Sequence, residues 1–74
     1  MQIEVQIGRM ATTLKRLVLP EGTTLRDALE AAQEELNIGL KPAEEPVVNG
    51  DSIDYDDELQ NGDTIVFVQS VAGA

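Results

Sequence analysis

The chain contains neither cysteine nor histidine. Without cysteine it can form no disulfide and no thiolate site, which suits a reducing compartment. Without histidine, the commonest metal ligand and the commonest general base are both missing. Ser52, Ser70 and Tyr55 therefore have no imidazole to activate them as nucleophiles, and independent catalysis is not expected. The longest unbroken apolar run is four residues, Ile65 to Val68, against the roughly 20 that a membrane helix needs. Met1-Gln2-Ile3-Glu4 opens into a strand-like alternation rather than a basic-then-apolar export signal. The chain reads as a soluble cytoplasmic protein.

Positive charge is scarce and confined to one side of the sequence. All five basic residues (Arg9, Lys15, Arg16, Arg26, Lys41) fall in the first 41 positions, where six acids leave a charge of −1. After Lys41 come eight acids and no base, which accounts for −8 of the total of −9. Phosphate binding needs lysine and arginine, so nucleic acid is a poor partner. A basic protein groove is a better one, because opposite potentials speed and orient encounter. Solubility or adaptation to high salt accounts for the same charge equally well.

At 74 residues the chain is one small domain, burying roughly 60–65% of the surface its unfolded form exposes. Gln2 to Ile7 alternates polar and apolar residues, the period-two mark of a half-buried strand. Thr13 to Leu19 forms a second strand, with Leu17 and Leu19 inward and Leu14, Arg16 and Val18 outward. Pro20-Glu21-Gly22 ends it. Thr24 is placed to cap a helix, and Asp27 stands where a capping box puts its acid. Leu25, Ala28, Leu29, Ala32 and Leu36 make one apolar stripe, and Gly39 is the expected C-terminal cap. Lys41 to Pro46 reads as a loop held open by two prolines.

Val47-Val48 begins a third strand, and Asn49-Gly50 is the strongest tight-turn signal. Leu59 plugs the core beyond the acidic stretch Asp54 to Glu58. Asn61-Gly62-Asp63 turns into a last strand, Thr64 to Gln69, whose run Ile65-Val66-Phe67-Val68 predicts a central position covered on both faces. Strand, strand, helix, strand, strand is the order of an α+β roll, a mixed sheet of four or five strands packed on one main helix. Residues 1–70 form the domain, and Val71-Ala72-Gly73-Ala74 leaves it as a thin flexible tail able to thread a narrow channel and present one carboxylate.

Particular residues resemble the β-grasp sulfur carriers of the ubiquitin-like superfamily, above all the small sulfur-carrying subunit of molybdopterin synthase. The likeness rests on Val47-Val48-Asn49-Gly50, on Leu59-Gln60-Asn61-Gly62-Asp63, and on Val71-Ala72-Gly73. In fold it covers the whole chain; in residues, about the last third. The resemblance implies a carrier rather than an enzyme, with no cofactor of its own. An activating enzyme of the ubiquitin-activating type uses ATP to adenylate the terminal carboxylate, and a sulfur donor converts it to a thiocarboxylate. The tail then delivers sulfur to a synthase large subunit or another acceptor. Val71 and Ala72 would be the inserted tail, Gly73 and Ala74 the reactive end.

The family ends in Gly-Gly, and this chain departs from that at Ala74. Three readings stand: a cognate enzyme that accepts alanine, a protein that keeps the fold without carrier function, or an altered terminus. A ubiquitin-like modifier, joined through its end to lysine, and a non-carrier β-grasp binding module are the alternatives. Asp56, Asp57, Glu58 and Phe67 are candidate docking residues. A calcium loop starting at Asp54 would need Gly sixth and Glu twelfth; Leu59 and Ile65 stand there instead, so no metal site is expected.

Overall fold

A computed structural model describes residues 1–69. Strand β1 (Gln2–Arg9) pairs antiparallel with β2 (Lys15–Pro20) and parallel with β4 (Thr64–Gln69), which pairs antiparallel with β3 (Glu44–Val48). The order β2-β1-β4-β3 puts the first and last strands in the middle of one mixed sheet. Helix α1 (Leu25–Leu36) covers one face. Ile3, Val5 and Ile7 from β1, Leu17 and Leu19 from β2, and Ile65 and Phe67 from β4 meet Leu25, Ala28 and Ala32 in a single core. The alternation in β1 and β2 thus has the physical cause read from it, one face dry and one face wet.

Three local expectations need correction. The helix ends at Leu36, and Asn37, not Gly39, takes the left-handed capping conformation at φ 57°. Asparagine tolerates that region almost as glycine does, and its position two residues earlier stops the helix first. Strand β3 begins at Glu44, so the second half of the expected loop is strand, Pro46 included. Proline supplies no ladder donor, and β3 is an edge strand, where that omission is tolerated. Strand β4 is covered on one face only: Ile65 and Phe67 are buried against the helix, whereas Val66 and Val68 are half-buried on the open face.

The two turn motifs are joined to each other. Asn49 (φ 53°) and Gly50 (φ 87°) both adopt positive φ, the demand of a two-residue hairpin turn, closed by Val48 and Asp51 exchanging hydrogen bonds of 2.8 and 3.0 Å. The Asn49 side chain accepts from the Thr64 N–H at 3.0 Å and donates to Asp63 Oδ1 at 2.9 Å. Asp63 Oδ2 accepts from the Gln60 N–H at 2.8 Å, and Asn61 Oδ1 accepts from the Glu4 N–H at 2.9 Å. These asparagines therefore hold the start of β4 against β1 and the β3 turn. Replacing Asn49 by Ala should cost about 1–3 kcal/mol through the two unmade bonds. Asn49→Gly, which keeps the backbone freedom, separates that loss from the left-handed strain in urea unfolding.

Candidate functional site

Sheet topology sets where the described residues end. β4 runs parallel to β1, so Gln69 lies at the end of the sheet where β1 finishes and β3 starts. Val71, Ala72, Gly73 and Ala74, the expected tail and reactive end, lie outside the described residues. Phe67 pairs with Arg9, and Gln69 pairs with Glu44.

Those two partners form a clamp. Arg9 Nε and Nη2 donate to the two Glu44 carboxylate oxygens at 2.8 and 2.9 Å, a bidentate ion pair. A further Arg9 N–H donates to the Gly39 carbonyl, and the guanidinium carbon lies 5.5 Å from the centre of the Phe67 ring. Glu44 also accepts from the Lys41 N–H at 2.7 Å, fixing the loop in which Ala43 is left-handed at φ 70°. One charged pair thereby ties β1, the α1–β3 loop, β3 and β4 together.

Hydrogen bonding from Arg9, helped by the Lys41 N–H, holds the Glu44 carboxyl below its ordinary range. Bonding to Glu44 raises Arg9 in turn. A carboxyl depressed by folding stabilises the native state above its unfolded pKa and loses that contribution as pH falls through the folded one. A stability gap between the parent and Glu44→Gln should therefore be full at neutral pH and close below the usual carboxylate range, as acid titrations monitored by thermal unfolding would show. A gap that persists in strong acid would assign it to packing instead.

The acidic stretch lies at the opposite end of the sheet. Leu25 and Arg26, at the start of α1, donate their N–H groups to the carbonyls of Asp57 and Tyr55 at 3.0 and 2.9 Å. The stretch thus satisfies amides that a helix start leaves unpaired. Asp56 forms an ion pair with Arg26, and Asp57 Oδ2 accepts from the Asp54 N–H at 3.1 Å. Asp56, Asp57 and Glu58 are exposed, but the length of β4 separates them from Gln69, roughly 16 Å at about 3.3 Å per residue. Closeness in sequence to Gln69 does not become closeness in space. Phe67 is corrected outright as a docking residue: it is 2% exposed in the core, and Val68 takes the outward position.

Sequence reasoning missed Arg9 and Glu44. The signal was there in the β1 alternation, since Arg9 continues the inward register of Ile3, Val5 and Ile7. An inward charge at the end of an apolar register calls for a partner. Among the described residues no cluster of three or more acids is arranged to hold a metal ion, and no helix is long and apolar enough to cross a membrane.

Solved structures place this architecture. A molybdopterin converting factor, subunit 1, from Pyrococcus furiosus is similar at a TM-score of 0.75 and 22% identity, over 93% of this chain and 99% of that one. The ubiquitin of Caldiarchaeum subterraneum is similar at 0.70 and 12% identity over the full length of both chains. A designed protein based on ubiquitin scores 0.70 at 14% identity, over 97% of this chain and 93% of the other. A mixed sheet ordered β2-β1-β4-β3 on one helix, with these neighbours, defines the ubiquitin-like β-grasp class. Nothing among curated protein sequences matches the chain. The sequence pattern of the ThiS family does match it, over residues 7–73, and the chain belongs to that family of small sulfur carriers.

Proposed function

We propose that this protein carries sulfur on its C-terminal carboxylate, at the end of Val71-Ala72-Gly73-Ala74, and delivers it to a synthase large subunit in molybdopterin formation. Membership of the ThiS family across residues 7–73 carries the reading; the likeness to a molybdopterin converting factor subunit supports the fold it requires. The chain supplies a carboxylate and a shape, and partners supply the catalysis. An activating enzyme brings ATP, and the carboxylate oxygen attacks the α-phosphate and expels pyrophosphate. Sulfide-level sulfur from a donor then attacks the acyl carbonyl and expels AMP, leaving a thiocarboxylate. No bound cofactor is needed by the carrier.

The layout of the domain suits this work. The clamp and the end of β4 form one pole, where the tail begins, and the acidic stretch forms the other. A partner that receives the tail meets the first pole, leaving the acids free to orient approach from a distance. A pyrophosphate-exchange assay with ATP and a ThiS-family activating enzyme tests the proposal. Exchange that depends on this chain supports it. No exchange, with the same enzyme active on its usual carrier, would overturn it, and an amide bond to a lysine would identify a protein modifier.

A further inference from the structure

β3 is a poor anchor for the strand from which the tail departs. It is a five-residue edge strand, and its first residue, Glu44, donates its N–H to the Lys41 carbonyl at 3.0 Å rather than across to β4. Its first rung, Glu44 with Gln69, is also the last described rung of β4, and the neighbouring Glu45 is exposed. The turn before it holds Ala43 in a left-handed conformation, unfavourable for a residue with a Cβ. Rungs of this kind fray, because little buried apolar surface opposes their opening. Here the Arg9–Glu44 pair stands at the weak point. Arg9 belongs to the central strand β1, lies over Phe67 and grips Glu44 with both arms of its fork. Among the described residues, no other ion pair joins separate strands at this end of the sheet.

We propose that Arg9 and Glu44 are positioning residues for the reactive end: by holding the Glu44–Gln69 rung shut, they fix the point and direction from which the tail enters a partner. The inference rests on the carrier reading above. Neither residue touches the reacting atoms. Both act through β4, by removing freedom that the complex would otherwise have to remove on binding. The clamp therefore governs how readily the partner takes up the carrier and leaves the chemical step alone.

Arg9→Met keeps much of the stem that packs over Phe67 and removes the fork, and Glu44→Gln keeps the shape and removes the charge. Each variant, and the double variant, goes through two measurements on the full chain. Amide hydrogen exchange should quicken at Glu45 and Val68, the pair beside that rung, while Val5, Ile7 and Leu19 keep their protection. In adenylation by the activating enzyme, KM for the carrier should rise several-fold with kcat unchanged, and the double variant should be no worse than either single one. Unchanged exchange at Glu45 and Val68 would overturn the proposal, as would faster exchange with unchanged KM. A uniform loss of protection throughout the core would reduce the pair to ordinary stabilisation and overturn it too. Failure of the parent chain to be adenylated at all would strike the carrier reading, and is told apart because it does not depend on the variants.

Discussion

Replacing Ala74 by Gly is expected to raise the rate of adenylation roughly 5- to 150-fold, the equivalent of about 1–3 kcal/mol of overpacking relieved in the transition state. A terminal glycine has no Cβ, so an activating site shaped for one could approach the backbone beside the carboxyl closely. Ala74 adds one methyl at that carbon. The family's pattern reaches Gly73, so the alanine lies just past the matched residues. The substitution leaves every core side chain unchanged, and any gain belongs to the reacting end. Initial rates of pyrophosphate exchange for the two chains, at saturating ATP, measure it. Equal and substantial rates would show that the cognate site has room for the methyl.

Replacing Leu59 by Ala should remove about 2–5 kcal/mol of stability, the usual cost of emptying a buried leucine site. In a 74-residue domain, whose whole stability is on the order of 4–11 kcal/mol, that is a large share. Each kcal/mol should lower the thermal midpoint by about 4–8 °C. Leu59 is 2% exposed although it lies in the long β3–β4 connection, and its N–H donates to the Thr23 carbonyl at 2.9 Å. It therefore pins the acidic loop to the start of α1, where Tyr55 and Asp57 receive the first helix amides. Tyr55, 41% exposed in the same loop, provides the contrast: Tyr55→Ala should change the midpoint little. Equal effects at the two positions would mean that Leu59 is not the plug the packing implies.

The fold was legible where a pattern had one physical reading. Alternation in Gln2–Ile7 gave a strand buried on one side, and Thr24 does accept from the Asp27 N–H at 3.2 Å as a cap should. Asn49-Gly50 and Asn61-Gly62-Asp63 were legible as turns because positive φ selects those residues. Phe67 was not legible, since an unbroken apolar run carries no parity. Its inward direction is set by register with Arg9 and Pro46, partners distant in sequence. Arg9's inward register was readable, but its pairing with Glu44 was hidden for the same reason, the two standing 35 positions apart. The separation of the acidic stretch from the end of β4 was equally out of reach, because it follows from the parallel pairing of β1 with β4. What lies in neighbouring residues could be read; what depends on which strands meet could not.

The central claim is that the carboxylate at the chain's end carries sulfur, and the intact mass of the untagged protein purified from its own host tests it most directly. The account predicts a population ending at Ala74 with one carboxylate oxygen replaced by sulfur. An unmodified carboxylate throughout, persisting after incubation with the activating enzyme, ATP and a sulfur donor, would contradict it.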